Sequence, residues 1–496
     1  MRNLWKSQVF IRIFTPVGLI IVLALLFEGC TAETAGGAAV KGNPVLLSSP
    51  EDFKGGAFQS TSAGAGDDAC IQLAKEGDKY PDSGTYTSPP INTEPFQTML
   101  FSCNADTPEG TSIKIELQVQ VDGKWSGWLP WGTWGAYIAA GSNLSRQEDD
   151  VAAIDEDVLT IKSETKSADA VKYRVTLNTL DVSVTPSVRS VAISTRNNMQ
   201  ENVKASVEEN KKQEFSNTDR VLDVPKFSQT VREGKIAMRI CSPTCVAMVL
   251  KYYGIDLLPE ECAWGAYDNL AMKFGNWVFN CAYAGSYGFT AYADFFSSLD
   301  EIRREIDGGH PVIASVRYKN SESVEGDLPV VHGAPIDKTE GHLVVICGFV
   351  HENGKEYVVV NDPAAADDAG VGVKYLADEF YDSWFKVVYI IHKEDNSESK
   401  PRRTQAEFVP TGNKKQYMEG VSSEYRLECG DTAVDMSRDN IRTIMAAKEG
   451  EPYKYITPLS SETFWFNGEE GQGIYEFLII TAENQVYTAK INWTDE

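Results

Sequence analysis

The chain is short of positive charge. Its 496 residues carry 46 Lys and Arg against 71 Asp and Glu, a formal net charge of −25. A nucleic-acid binder needs a basic stripe to meet phosphates, so nucleic acid is excluded as a partner. The nine cysteines form no CxxC pair, and none of the five histidines stands at metal-finger spacing. That removes a structural zinc site, and no metal or organic cofactor is implied. After residue 29 no apolar run is long enough to span a bilayer, and no repeat of solenoid period is present. What remains is ordinary globular composition, 42% hydrophobic and 24% charged, at a length that suits two to four domains.

The first residues do not belong to a fold. Arg2, Lys6 and Arg12 precede a short apolar run, Val17 to Phe27, which reads as a secretory signal over residues 1–29, with an uncleaved anchor as the alternative. Leu26-Phe27-Glu28-Gly29-Cys30 resembles a bacterial lipobox, with Glu28 where such motifs carry a small residue. This implies lipidation of Cys30 and an extracytoplasmic protein, lipid-anchored to the cell membrane. Cleavage would remove three bases and one acid and leave −27 on the mature chain. Residues 30–50, rich in Ala, Gly, Thr and Ser, read as a tether. Disulfides among the other eight cysteines are possible in that setting, and their pairing is not readable.

Residues 51–198 read as all-β. The run Ser112 to Val121 alternates with period two and meets Asp122-Gly123, a strong hairpin signal. Further strands are expected at Val171–Leu177 and Val188–Ile193, which together predict a β-sandwich. Residues 199–220 are almost wholly polar, a linker or an exposed helix. From 221 to 394 helices come first and strands later. A second linker is expected at 395–407. Residues 408–496 read as a small β-rich domain ending in the hairpin of Tyr475–Ile480 and Val486–Ile491.

The chemistry concentrates in 221–394. Pro243 near a helix start, apolar residues at 245, 246, 248, 249, 250 and 253, and Gly254 at the end describe one buried helix, with Ser242 as its expected N-cap. Cys241 then sits at the helix mouth, where the dipole and free N–H groups favour a thiolate. His342 opens the strand Gly341–Phe349, and after Asn353-Gly354 the return strand reaches Asn361-Asp362-Pro363. A Cys–His pair generates a reactive thiolate and a carboxylate orients the imidazole. Regular pairing about Asn353-Gly354 places Asp362 opposite Val345, three residues from His342, so a bulge or strong twist must close the gap.

These residues carry a resemblance. Pro225-Lys226-Phe227-Ser228-Gln229, Cys241-Ser242-Pro243-Thr244, Gly275-Asn276-Trp277, Ala282-Tyr283-Ala284-Gly285, Gly341-His342-Leu343 and Asn361-Asp362-Pro363 come in the order found in free-standing relatives of the double-glycine, bacteriocin-processing cysteine peptidases. The segment resembles that family over about a third of the chain. The resemblance implies an α+β papain-like fold with Cys241 as nucleophile, His342 as base, Asp362 as orienting residue and Gln229 as oxyanion-hole donor. Gly275-Asn276-Trp277 either lines the cleft, making Asn276 and Trp277 substrate-binding, or pins a loop. Cys245 reads as core, and His310, His332, His351 and His392 as surface or structural. The all-β segment, with Gly84-Thr85-Tyr86-Thr87-Ser88-Pro89 and Trp125, Trp128, Trp131 and Trp134, resembles an accessory module found upstream of such peptidases. Its tryptophans either pack a core or contact carbohydrate.

The expected fold class is therefore multidomain: a β-sandwich, an α+β papain-like cysteine peptidase domain and a small C-terminal β domain. The expected function is an envelope lipoprotein that hydrolyses amide bonds of a peptide or peptidoglycan-type substrate through a Cys thioester. Two alternatives share the fold: an inactive papain-like protein that binds envelope peptide or polysaccharide, and an amidase or transpeptidase with a different acceptor. Exporter segments are missing, so specificity for Gly-Gly leaders does not carry over.

Overall fold

The accessory domain begins earlier than composition suggests. The computed structural model describes residues 43–64, 71–142, 145–198, 219–394, 400–417, 420–456, 463–468 and 470–494. The expected signal, Cys30 and nearly all of the 199–220 linker lie outside them. Val45–Leu47, expected as tether, is a strand paired with Ser187–Arg196, because Val45 and Leu47 alternate into the core. Two sheets follow, one of eight strands and one of seven. Asp122 and Gly123 both have positive φ (50° and 75°), the primed-turn geometry that joins Thr111–Val121 to Lys124–Trp125.

The four tryptophans do not share a surface. Pairing of Leu129–Trp134 with Thr111–Val121 slips between Pro130 and Gly132, leaving Trp131 as the bulged residue. Simple alternation would put Trp131 and Trp134 on opposite faces; the bulge lets both rings be buried. Trp131 donates its indole N–H to the Phe101 carbonyl (2.8 Å), and both rings pack on Phe279 at 5.2 and 5.4 Å. Phe279 belongs to the next domain. Trp125 and Trp128 lie apart from them, stacked beneath Lys172 and Arg174.

The 221–394 region has five α-helices of its own: α1 (Cys241–Tyr252), α2 (Pro259–Gly265), α3 (Trp277–Gly285), α4 (Leu299–Gly308) and α5 (Ala377–Ser383). Its strands are β1 (Phe289–Phe295), β2 (Val312–Lys319), β3 (Lys338–Glu352), β4 (Lys355–Asn361), β5 (Gly372–Leu376) and β6 (Trp384–Lys393). They form an antiparallel sheet in the order β1-β6-β2-β3-β4-β5, with Arg220–Val221 added on β3. Helix α1 packs on β3, where the Cys245 thiol meets the Leu343 carbonyl at 3.3 Å. Cys245 is core, fully buried.

Edge strand β1 would expose unpaired backbone groups. The sandwich strand Thr98–Asp106 and its neighbour cover them with side chains. Asn104 pairs both ways with the Ala291 backbone (2.7 and 2.9 Å), Ser102 accepts from the Ala293 N–H, and Ser194 donates to the Ala293 carbonyl. Sandwich and helical region thus share one hydrophobic core, which contains Phe101, Trp131 and Ile193 together with Val249, Phe279 and Tyr389.

The C-terminal segment holds a five-stranded and a four-stranded sheet, with Phe408, Phe464, Phe466 and Phe477 stacked in its core. Met445, Leu478 and Ile480 pack against Leu258 and Trp264 of the middle region. Residues 400–407 correct the expectation of a free linker. Arg402 stacks on Tyr287 at 4.0 Å, Arg403 pairs with Glu261 at 2.6 Å, and Thr404–Gln405 is a strand. Charge at 402 and 403 signals docking here, not solvation.

Candidate active site

Helix α1 opens with the cysteine itself. Ile240 is the N-cap and Cys241 the first helical residue, so Ser242 does not cap the helix as expected. Its hydroxyl instead bonds the buried Tyr389 hydroxyl at 2.8 Å, which fastens the helix mouth to β6. First-turn N–H groups have no intrahelical acceptor, and that of Ser242 points at the Cys241 sulfur.

A bulge supplies the missing register. On β3–β4 the pairing runs Gly348 with Val359 but Ile346 with Val360, leaving Cys347 as the extra residue. A one-residue slip exchanges the two faces of a strand. Without it Asp362 would stand opposite Val345, facing away from His342. With it Asp362 follows Asn361, which pairs with Val345, and so falls two residues diagonally from His342 on the same face. Such diagonal neighbours are within reach of long side chains. His342 Nε2 and Asp362 Oδ1 are 2.7 Å apart, and both residues are buried. The other ring nitrogen, Nδ1, is left for Cys241, to which His342 also hydrogen-bonds.

The electrostatics follow from this line of groups. Burial alone would lower the His342 pKa, but the Asp362 carboxylate and the bonds to Asp362 and Cys241 raise it to about 10. Burial would raise Cys241, but His342 and the N–H groups of Leu343 and Ser242 bring it below the ordinary thiol value. Asp362 stays low despite its burial because His342 faces it, the Ala364 N–H donates to Oδ1 (2.9 Å) and Tyr375 donates to Oδ2 (2.8 Å). Cys103 and Cys347 are pushed up to about 12 by burial, and Cys245, Cys262 and Cys281 also rise. The seven described cysteines form no disulfide, and against these five buried thiols Cys241 has surroundings that favour a thiolate.

Gln229 is buried beside this line. Its backbone N–H donates to the carbonyl of Pro363, the residue after Asp362, at 2.7 Å, and its Nε2 donates to the Ala237 carbonyl at 2.9 Å. One amide hydrogen is thereby engaged and a second remains. Asn276 corrects the expectation of a substrate contact. It is the N-cap of α3, with Oδ1 accepting from the Phe279 N–H (3.0 Å) and Nδ2 donating to Asp268 (3.0 Å), and it is 1% exposed. It pins the loop. Trp277 is half-buried and borders a cavity discussed below. The remaining histidines lie elsewhere. His332, His351 and His392 face Glu379, Asp219 and Glu305, and His310 meets the Tyr253 hydroxyl.

Tyr375 and Tyr318, whose hydroxyl is 3.4 Å from Asp362 Oδ2, were not foreseen. Each sits in an apolar strand pattern where a buried Tyr reads as packing. Losing one donor to a carboxylate is worth about 1.5–3 kcal/mol. In Tyr375→Phe the Asp362 pKa should therefore rise. The depressed carboxylate helps only above its own pKa, so the acid limb of the Cys241 alkylation profile should move to higher pH. An unmoved limb would show that the hydroxyl only packs.

A partly exposed thiol, a buried imidazole and a buried carboxylate in one hydrogen-bonded line make a nucleophile with its own proton carrier, the equipment of a cysteine hydrolase. Residues 221–390 match the Peptidase_C39 like family and residues 45–195 the Peptidase C39 N-terminal domain. The chain thus carries a C39-like cysteine peptidase domain, preceded by a segment that matches the C39 N-terminal domain. Similar solved structures include a C39-like peptidase from Bacillus anthracis, at 17% identity over 36% of this chain and 100% of that one (TM-score 0.27). The peptidase domain of Streptococcus ComA, a bifunctional ABC transporter involved in quorum sensing, aligns at 15% identity over 35% and 98% (TM-score 0.23). No curated protein matches the chain.

Proposed function

We propose that the protein is an envelope-tethered, papain-like cysteine peptidase that cleaves amide bonds by thioester chemistry. The observation that carries this reading is the Cys241–His342–Asp362 line, in which a favoured thiolate faces an imidazole held by a buried carboxylate. The Cys241 thiolate attacks the amide carbonyl, and the His342 imidazolium passes its Nδ1 proton to the leaving amine. Water, deprotonated by the now neutral His342, then opens the thioester and releases the acid and the thiolate. Asp362 holds the ring orientation throughout. The backbone N–H of Cys241 and the second amide hydrogen of Gln229 are the oxyanion donors in this scheme.

A thiol-directed peptide probe on the whole protein tests it. Labelling should vanish in Cys241→Ala and persist in Cys245→Ala. Equal labelling of both variants, or none of the wild type, would favour a binding protein.

The location belongs to the same reading. The basic n-region, the short apolar run and Gly29-Cys30 support acylation of Cys30 outside the cytoplasmic membrane. An acidic body of this charge is repelled by anionic lipid unless anchored. Cys30→Ser should therefore move the protein from the membrane fraction to the soluble one. Wild-type protein that is soluble, with an unlipidated N-terminus at Thr31 or later, would remove the tether and leave the catalytic reading standing.

A further inference from the structure

A cavity of about 300 Å³ is lined by residues of both the sandwich and the peptidase region. The sandwich contributes the turn residues Glu156 and Asp157. The peptidase region contributes Arg239, Lys273, Phe274 and Trp277. Arg239 is two residues before Cys241, and the intervening Ile240 packs in one cluster with Phe274. Two residues span at most about 7 Å of backbone, so the Arg239 wall of the cavity stands near the helix mouth that carries the thiol.

Its charges are unevenly matched. Glu156, at a turn with φ of 56°, pairs with Lys273 across the domain boundary. Asp157 is 8% exposed and accepts the Trp277 N–H at 2.5 Å. Burial raises its pKa to about 7, so at neutral pH it is only partly ionised. Arg239 is different. Its guanidinium is exposed, stacked 5.3 Å above the Phe274 ring, and one Nη2 hydrogen goes to the Met272 carbonyl at 2.5 Å. A guanidinium carries five N–H donors in a rigid fork that fits a carboxylate bidentately. Stacking and the Met272 bond fix that fork in place, and its other donors are left for a ligand.

We propose that this cavity is a substrate subsite in which Arg239 binds a carboxylate of the peptide close to the scissile bond, with the sandwich turn as its opposite wall. Arg239 is then a specificity-determining residue, and the accessory domain takes part in choosing the substrate. The inference rests on the cysteine peptidase reading above. The carboxylate is an acidic side chain or the free end of a peptide chain; the chemistry is shared.

The experiment is digestion of a random peptide mixture by the whole protein, with mass spectrometry of the cleaved ends, using one library of C-terminal acids and one of amides. Glu and Asp enriched at a fixed position in both libraries identifies a side-chain carboxylate. Cleavage at a fixed distance from the end in the acid library alone identifies the terminus. Loss of a charge-assisted, bidentate contact should cost about ten- to a hundredfold in kcat/KM. Arg239→Gln should therefore erase the enrichment, Arg239→Lys should keep part of it, and Glu156→Gln, which removes negative charge from the facing wall, should increase it. Cleavage with no carboxylate preference, or a preference unchanged in Arg239→Gln, overturns the subsite. Uncleaved libraries with a Cys241 that still reacts with iodoacetamide also overturn it. A Cys241 inert to iodoacetamide overturns the catalytic reading itself.

Discussion

Replacing His342 by alanine should lower peptide hydrolysis about 10⁴-fold or more, the product of two separable losses. The first is the thiolate. Without the imidazole, burial is the dominant influence on Cys241 and carries its pKa above the ordinary value of 9.0. At pH 7 the thiolate fraction then falls to about one in a hundred or less. The second is proton delivery to the leaving amine, which general acid catalysis makes worth about 10²–10⁴. Iodoacetamide alkylation reads the first loss alone, and hydrolysis reads both. In the wild type hydrolysis should form a plateau that begins below the ordinary thiol range, where Cys241 ionises, and ends near pH 10, where His342 loses its proton. Fast alkylation of His342→Ala at pH 6 would show that the thiol is activated by something other than the pair.

The same substitution has a stability cost with a definite sign. The folded His342 pKa lies above its unfolded value, so its contribution is complete below about pH 6.5 and is lost as pH rises through about 10. Asp362 behaves oppositely, helping above the unfolded carboxylate pKa and losing its contribution as pH falls through its depressed folded value. Deleting the ring leaves Asp362 buried with Tyr375, Tyr318 and the Ala364 N–H but without its cation. Breaking a buried pair in this way costs about 3–5 kcal/mol. His342→Gln keeps a donor toward Asp362 and should retain more stability than the alanine variant while being as inactive.

Legibility in sequence divides along physical lines. Cys241 and His342 were readable because a helix mouth and a strand start leave periodic traces, and Asn353-Gly354 marked the hairpin through its need for positive φ at both positions (51° and 75°). The side of β3 on which Asp362 falls was not readable. Cys347 in a strand of Leu, Val and Ile carries no mark of a bulge, yet the bulge decides which residues meet. The same blindness hid Trp131, whose bulge turned an expected alternation into a shared interface. Asn276 stayed ambiguous because a capping Asn and a ligand-binding Asn look alike until both ends of the amide are accounted for. Arg402 and Arg403 misled because composition treats charge as solvated, while stacking on Tyr287 and pairing with Glu261 are tertiary facts.

The largest expected effect on folding comes from removing the sandwich. A chain starting at Val221 keeps the Cys241, His342 and Asp362 positions and most of the family match, so sequence boundaries alone would recommend it as a domain. Packing argues otherwise. Phe279 would lose Trp131 and Trp134, and truncating a buried Phe contact of that kind costs about 3–5 kcal/mol. Edge strand β1 would lose Asn104, Ser102 and Ser194, exposing the Ala291 and Ala293 backbone as a pairing template for other chains. The Trp277 N–H at the start of α3 would lose the Asp157 carboxylate, and Asp268 would lose the Ser142 N–H it accepts at 3.1 Å. Against a typical net stability of about 5–15 kcal/mol, these losses are enough to unfold the fragment. Expressed from residue 221, it should aggregate, show no cooperative melting transition and leave Cys245 and Cys281 open to alkylation. A chain starting at residue 43 should be soluble and protect both thiols, while Cys241 reacts. A monomeric, cooperatively melting 221–394 fragment with a reactive Cys241 would show that the peptidase region closes its own core and that the sandwich is an appended module.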